Sequence, residues 1–85
     1  MSYTVQIEHK ARRQLAALPD QMRARIEPRL EALAEDPRPR GAIKLRGGQN
    51  IYRIRVGQYR VLYEVRDDVL VVLIVEVGHR RDVYR

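Results

Sequence analysis

The stretch YRIRVGQYRVLYEVR, residues 52–66, constrains the fold of this 85-residue chain more than any other segment. Apolar and polar residues alternate on both sides of Gly57-Gln58, which is the pattern of two antiparallel strands with one buried face. Glycine at the first position of a two-residue connection favours a type II′ turn, because glycine adopts a positive φ without strain. The sequence therefore predicts a β-hairpin with a fixed register.

The predicted register assigns every side chain of the hairpin to one face of the sheet, since successive side chains point to opposite faces. Arg53, Arg55 and Arg60 fall on one face, with Arg55 directly opposite Arg60. The other face carries the apolar residues Tyr52, Ile54, Val56, Tyr59, Val61, Tyr63 and Val65. We expect the apolar face to meet the rest of the protein and the arginines to remain accessible.

The predicted pairing of Arg55 with Arg60 has an energetic cost. Like charges placed opposite each other destabilise a hairpin by roughly 0.2–1 kcal/mol. A phosphate held between the two guanidinium groups would offset that cost. A solvated sheet face with Glu64 as a nearby counter-charge explains the same pattern, so the sequence leaves both interpretations open.

Two helices and three further strands are predicted around the hairpin. The first helix covers residues 9–18, and the second runs from an N-cap at Asp20 to a stop at Asp36-Pro37, with a kink at Pro28. The predicted strands are residues 3–7, 42–46, 50–56, 59–66 and 69–77. The order β-α-α-β-β-β-β is typical of an α+β fold in which two helices cover one face of a mainly antiparallel sheet. We expect one domain over residues 1–85.

The last predicted strand, VLVVLIVEV, is apolar on both faces apart from Glu76, although two helices can cover only one side. If Asp67-Asp68 is another two-residue turn, the arginine-bearing face also carries Val71, Leu73, Val75 and Val77. Apolar surface of this kind usually marks a protein interface, and burial under the preceding connector is the alternative.

Composition limits the classes of function. Seventeen Lys and Arg against eleven Asp and Glu give a net charge of +6, which favours a polyanionic partner such as nucleic acid. The chain has no cysteine for a disulfide or a thiol nucleophile, and its two histidines, His9 and His79, form no metal-ligand motif. Without an apolar run of about 18 residues or a signal-peptide pattern, we expect a cytoplasmic protein with no membrane partner and no cofactor.

The C-terminal segment VGHRRDVYR concentrates polar chemistry at residues 77–85. We expect Gly78 to let this segment turn back over the sheet. The hydroxyl of Tyr84 and the guanidinium of Arg80 would then join the three arginines. A solvated basic tail is the alternative.

Three pieces of the sequence, KLRG at 44–47, YRIRVGQYRVLYEV at 52–65 and VGHRRDVY at 77–84, together resemble the RelE branch of the RelE/ParE toxin superfamily. The resemblance covers essentially the whole chain. It implies a toxin of a type II toxin–antitoxin system that enters the ribosomal A site, cleaves mRNA and is held inactive by a cognate RelB-like antitoxin. The implied reaction is metal-free attack of a ribose 2′-hydroxyl on the adjacent phosphate. Operator DNA is a further implied partner, through the antitoxin complex.

Carried over by position, the resemblance implies the catalytic residues Arg53, Arg55, Arg60, Arg80 and Tyr84. As further RNA or phosphate contacts we expect Lys44, Arg46, His79 and Arg81. Fixed cations stabilise the charge that develops on phosphate oxygens, a role we expect for Arg60 and Arg80. Well-known relatives carry lysine at positions 53 and 55, and arginine is a poor proton-transfer group. Tyr84 is therefore the expected base, and His79 is the reserve candidate for the acid.

Some relatives carry an additional C-terminal helix that the antitoxin displaces, and these 85 residues contain none. We therefore expect the antitoxin to lie over the exposed apolar residues Val71, Leu73 and Val75, or to block entry into the ribosome. Two other functions stay open at the level of sequence. One is a ParE-like inhibitor of DNA gyrase without RNA hydrolysis, and the other is a non-catalytic nucleic-acid-binding or co-repressor module.

Overall fold

The computed structural model describes residues 2–47 and 50–79 and shows two helices on one face of a five-stranded sheet. The helices are α1, His9–Ala16, and α2, Asp20–Ala32. The strands are β1 Thr4–Ile7, β2 Ile43–Lys44, β3 Ile51–Val56, β4 Tyr59–Arg66 and β5 Val71–His79. The sheet order is β1-β5-β4-β3-β2, with β1 parallel to β5 and the other described pairs antiparallel. The predicted α+β fold and its element order are confirmed.

The core lies between the helices and the sheet, as the apolar periodicity predicts. Ala11 and Leu15 of α1 and Ile26 and Leu30 of α2 are buried at helical spacing. They belong to one cluster with the buried sheet residues Tyr52, Ile54, Val56, Val61, Tyr63, Val65, Val72, Ile74 and Val77. Neither described helix is long and apolar enough to cross a membrane.

The predicted hairpin register is confirmed. Val56 pairs with Tyr59 and Arg55 pairs with Arg60, so the connection has two residues. Gly57 has a φ of +60° and Gln58 is not among the residues with positive φ, in agreement with a type II′ turn.

Helix α2 begins differently from the prediction. The N-cap position is held by Pro19, in an extended conformation with ψ 146°, and Asp20 is the first helical residue. The Pro19 carbonyl accepts hydrogen bonds from the N–H groups of Met22 and Arg23, both at 3.0 Å. Asp20 instead pairs with Arg23, where a carboxylate in the first turn also suits the helix dipole. The helix continues through Pro28, which lies on its exposed side.

The predicted two-residue turn at Asp67-Asp68 is wrong, because the β4–β5 connection spans residues 67–70. The Asp67 carboxylate forms an ion pair with Arg38, whose Nη2 lies 2.7 Å away, and accepts a hydrogen bond from the Tyr3 hydroxyl at 2.5 Å. Leu70 then closes the connection with a φ of +56°, and its carbonyl accepts the N–H of Thr4 at 2.8 Å. Strand β5 therefore starts at Val71 rather than at Val69.

A β-bulge in β5 overturns the predicted face of Val77. The pairs Tyr63–Ile74 and Leu62–Glu76 leave Val75 as the additional residue, which reverses the alternation beyond it. Val77 is consequently 1% exposed on the helix side of the sheet. Its N–H donates to the side chain of Gln14 at 2.8 Å, because β1 ends at Ile7 and leaves this edge of β5 unpaired by backbone.

The predicted turn at Gly78 is also wrong. Gly78 lies inside β5 and pairs with Arg60, and the strand continues to His79 opposite Tyr59. These two backbone pairs keep the segment extended up to His79, the last residue that the structure describes at this end.

A polar network fastens the end of the sheet that lies opposite the hairpin turn. Arg38 donates from Nε to the Tyr52 hydroxyl at 2.8 Å and from both terminal nitrogens to Asp67. The Tyr63 hydroxyl donates to the Pro37 carbonyl at 2.7 Å, and burial raises the pKa of Tyr63 to about 12. Hydrogen bonds from Arg38 and then from Tyr3 lower the pKa of Asp67. The network joins the N-terminus, the helix–sheet connector and the β4–β5 connection.

Replacing Asp67 tests this network through its pH dependence. A folded-state pKa below the unfolded value means that ionised Asp67 stabilises the protein at neutral pH. That contribution is lost as the pH falls through the folded pKa, below the ordinary value of 3.8. We expect Asp67→Asn to lower the thermal unfolding temperature at neutral pH, with a difference from the parent that shrinks in strong acid. Asp68→Asn, at the neighbouring exposed position, is the control. Equal losses in the two variants, or a difference that does not depend on pH, would contradict the role of Asp67.

Candidate functional site

The helices leave one face of the sheet open, and the hairpin places its cations at one end of that face. Nearest the turn, Arg55 pairs with Arg60, and Arg60 pairs in turn with Gly78. In the next row Arg53 pairs with Leu62. Because Gly78 has no side chain, β5 places no side chain directly beside Arg60. We call the open end formed by Arg53, Arg55 and Arg60 the arginine face.

The three guanidinium groups of the arginine face are presented differently. Arg55 is exposed, whereas Arg53 and Arg60 are half-buried and their Nε atoms are inaccessible to solvent. Arginine commonly buries its aliphatic stem along apolar surface while its charged end stays near water. Directly opposite residues of an antiparallel pair have Cβ atoms about 4.5–5.5 Å apart, so Arg55 and Arg60 can contact one anion together.

The counter-charge predicted for the arginine face lies elsewhere. Glu64 forms an ion pair with Arg66 at 3.1 Å. It is four residues along β4 from Arg60, a distance of about 13 Å at the rise of a β-strand. Glu64 is therefore not placed beside the Arg55–Arg60 pair, whereas Glu76, opposite Leu62, lies on the same face and forms an ion pair with Lys10 at 3.2 Å.

The other end of the open face is more apolar. Val71 and Leu73 lie opposite Arg66 and Glu64, so both are on the open face as predicted. Both are half-buried, as is Val75 at the bulge. Ile43 of β2 lies at the edge of the arginine face, opposite Arg53, and is 48% exposed, an apolar surface residue that the sequence pattern did not indicate.

Three predicted contact residues lie away from the arginine face. Lys44 pairs with Tyr52, so it is on the helix side of the edge strand, and Arg46 is exposed in the turn that follows. His79 pairs with Tyr59 and meets its ring edge to face, with centroids 5.5 Å apart, also on the helix side. This position gives no support to His79 as an acid beside the arginines. Arg80, Arg81 and Tyr84 lie outside the described residues.

Removing one charge of the opposed pair tests the arrangement through stability. We expect Arg55→Gln to raise the free energy of unfolding by about 0.2–1 kcal/mol at low salt, because it relieves like-charge repulsion across the pair. The gain is expected to shrink at high salt, where exposed charges are screened. Arg46→Gln, an exposed arginine outside the pair, is the control for net charge. Urea denaturation at two salt concentrations measures the free energy of unfolding of both variants. A loss of stability in Arg55→Gln would contradict the opposed-charge geometry.

Comparison with known protein families identifies similar chains. The family model described as ParE toxin of type II toxin-antitoxin system, parDE, matches residues 5–84. Toxin RelG of Mycobacterium tuberculosis is 36% identical over 86 residues, which cover 100% of this chain and 99% of RelG. The mRNA interferase toxin RelE of Escherichia coli is 32% identical over 82 residues, which cover 94% of this chain and 85% of RelE.

Solved structures show the same fold. A crystal structure of an archaeal RelE–RelB complex from Pyrococcus horikoshii matches with a TM-score of 0.84 at 32% identity, covering 96% of this chain and 99% of that one. The toxin–antitoxin complex RelBE2 from Mycobacterium tuberculosis matches with a TM-score of 0.82 at 33% identity, covering 94% of this chain and 100% of that one. The similarity spans nearly the whole chain in each case.

Proposed function

The chain belongs to the RelE/ParE superfamily and is a RelE-like toxin of a type II toxin–antitoxin system, and on this premise we propose that it cleaves mRNA as a ribosome-dependent endoribonuclease. The observation that carries the proposal is the Arg55–Arg60 pair, with Arg53 in the next row, on an open face of the sheet. The relative from Escherichia coli is named an mRNA interferase, which supports RNA as the substrate. We place the activity in the cytoplasm, where ribosome-bound mRNA is found.

In the proposed reaction, the ribose 2′-hydroxyl attacks the adjacent phosphorus and the 5′-oxygen of the next nucleotide leaves. The products are a 2′,3′-cyclic phosphate and a free 5′-hydroxyl, so no metal or cofactor enters the balance. Negative charge on the non-bridging oxygens grows in the transition state, and guanidinium groups fixed there bind it more tightly than they bind the ground state. We assign this role to Arg60 and Arg55, with Arg80 as a third cation.

Proton transfer needs a different kind of residue. The attacking 2′-hydroxyl loses a proton and the leaving 5′-oxygen gains one, whereas arginine stays protonated throughout the working pH range. The replacement of the family's lysines by Arg53 and Arg55 therefore leaves positioning and charge stabilisation as their roles. We assign the base to Tyr84. A cation beside a tyrosine lowers the pKa of its hydroxyl and favours the phenolate, the form that can accept the proton.

Removing the inner cation of the arginine face is expected to slow the reaction. We expect Arg60→Gln to lower the rate of cleavage of ribosome-bound message by about 100- to 1,000-fold, the usual effect of losing one fixed donor to a developing oxyanion. Arg29→Gln, an exposed arginine in the last turn of α2, is expected to cleave at the parent rate. Primer extension on a defined message measures both. Tyr84→Phe cleavage at the parent rate would remove Tyr84 from the mechanism without affecting the role of Arg60.

A second candidate function is supported by the description of the matching family, which names the ParE toxin. A ParE-like protein would inhibit DNA gyrase and would not hydrolyse RNA. A supercoiling assay with purified gyrase, run beside the cleavage assay, separates the two functions. Inhibited gyrase with intact message would favour the ParE-like function, and binding of message without cleavage or gyrase inhibition would leave a non-catalytic nucleic-acid-binding module.

We further propose that a RelB-like antitoxin covers the apolar end of the open face, at Val71 and Leu73, with Val75 at the edge of the contact. Solved relatives are complexes of RelE with RelB, which supports a partner of this class. A segment lying across β4 and β5 at these residues would extend over the neighbouring arginine row and exclude RNA from it. In this scheme the antitoxin inhibits the toxin by covering the arginines that would contact RNA. Binding of operator DNA would be an activity of the assembled toxin–antitoxin complex.

A charge placed in this apolar region is expected to weaken the antitoxin complex. We expect Leu73→Asp to lower affinity for the cognate antitoxin by about ten-fold or more, because a half-buried apolar contact is replaced by a carboxylate that must be desolvated. Val69→Asp is the matched control, since Val69 is 58% exposed in the β4–β5 connection and lies outside the strands. Isothermal titration calorimetry measures both affinities. Equal affinities for the two variants would contradict the proposed surface.

A further inference from the structure

The hairpin turn also borders a pocket on the side that faces the helices. A pocket of about 280 Å³ lies there, lined by Pro19, Gln21, Met22, Arg25 and Tyr59. This volume is close to the lower limit of small-ligand pockets, roughly 300–1,000 Å³, so it suits a single flat ring system better than a large molecule. The arginine face lies on the other side of the same turn.

Arg25 reaches this turn from α2. Its guanidinium lies so close to Gly57 that a Cβ built there would be 3.3 Å from Nη1 and 3.4 Å from Nη2. Its i−4 neighbour is Gln21 and its i+4 neighbour is Arg29, so the helix offers it no acidic partner at those positions. Within residues 2–47 and 50–79, no ion pair involves Arg25.

Arg23, two residues earlier on the same helix, shows the contrast. It binds Asp20 and donates to the carbonyls of Ala16 and Leu18, so its charge is used to hold the junction between α1 and α2. Arg25 has no comparable structural use among the described contacts. Arg25 is an exposed residue and lines the pocket, where its charge can contact a ligand.

The remaining walls of the pocket suit a base. Tyr59 lines the pocket, and its ring is held in place by the edge-to-face contact with His79 at 5.5 Å. Met22 supplies a flexible apolar surface. Aromatic rings and guanidinium planes are the groups on which unstacked RNA bases stack.

We propose that this pocket binds one nucleotide of a single-stranded RNA, with the base against Tyr59 and Met22 and with Arg25 contacting the base edge or its phosphate. The proposal depends on the function proposed above, since it makes the pocket a second contact for the same RNA strand. Arg55 and Arg60 flank Gly57-Gln58 on the open side, and Arg25 lies against Gly57 on the helix side. An RNA strand that passes around the turn meets cations on both sides. The net charge of +6 also favours the binding of such a polyanion.

Titration of the purified full chain with the four nucleoside 5′-monophosphates, followed by nuclear magnetic resonance at the Met22 methyl and the Tyr59 ring, tests the pocket directly. Inorganic phosphate is titrated alone as the anion without a base. We expect the monophosphates to shift both signals and to saturate at lower concentration than phosphate. Arg25→Gln and Tyr59→Leu are each expected to weaken this binding by about five-fold or more, the usual effect of losing one stacking contact.

Matched variants make the result decisive. Arg29→Gln, one turn along α2, and Tyr59→Phe, which keeps the ring, are expected to bind nucleotides as the parent does. An equal loss of nucleotide affinity in Arg25→Gln and Arg29→Gln would overturn the proposal. Equal affinities for phosphate and nucleotide would also overturn it, as would Met22 and Tyr59 resonances that do not shift. The cleavage assay is read separately. A parent that cleaves message but shows no pocket binding refutes only the pocket, whereas pocket binding without cleavage refutes only the nuclease.

Discussion

The two-residue turn at Gly57-Gln58 fixes the register on which the rest of the sheet depends. Because the turn sets Val56 opposite Tyr59, every second residue of β3 and β4 lies on the helix side, and the residues between them lie on the open face. A slip of one residue would bring the arginines into the core and the valines to the surface. The same register gives the core its buried tyrosine and valine side chains and gives the open face its paired cations.

The open face divides into two regions that the proposed function uses differently. Arg53, Arg55 and Arg60 lie near the turn, and Val71 and Leu73 lie at the far end beside the Glu64–Arg66 ion pair. The polar network around Arg38 and Asp67 holds that far end to the connector and the N-terminus. A single protein segment lying along the strands can therefore contact the apolar region and block the cationic one, which is a simple physical basis for a toxin controlled by its antitoxin.

The hairpin could be predicted from sequence because its signals are local. Glycine at the first turn position and strict alternation define the register without reference to the rest of the chain. The bulge at Val75 has no such signal, since the run VLVVLIVEV is apolar at almost every position and alternation cannot locate an extra residue. The bulge moved Val77 into the core and is the reason that His79 lies on the helix side with Tyr59. The β4–β5 connection was missed for a different reason, because Asp67 is held by Arg38, 29 residues away in sequence. Arg25 was likewise indistinguishable from the other helix arginines until the fold placed it against Gly57.

In the proposed reaction, the paired arginines of the hairpin bind the phosphate that is cleaved. The most direct measurement is a structure of this protein on a ribosome programmed with a message in which the attacking 2′-hydroxyl is replaced by hydrogen, so that the strand stays intact. We expect non-bridging oxygens of that phosphate at hydrogen-bond distance, about 2.7–2.9 Å, from the guanidinium groups of Arg55 and Arg60. A message bound elsewhere, with the arginine face turned to solvent, would contradict it.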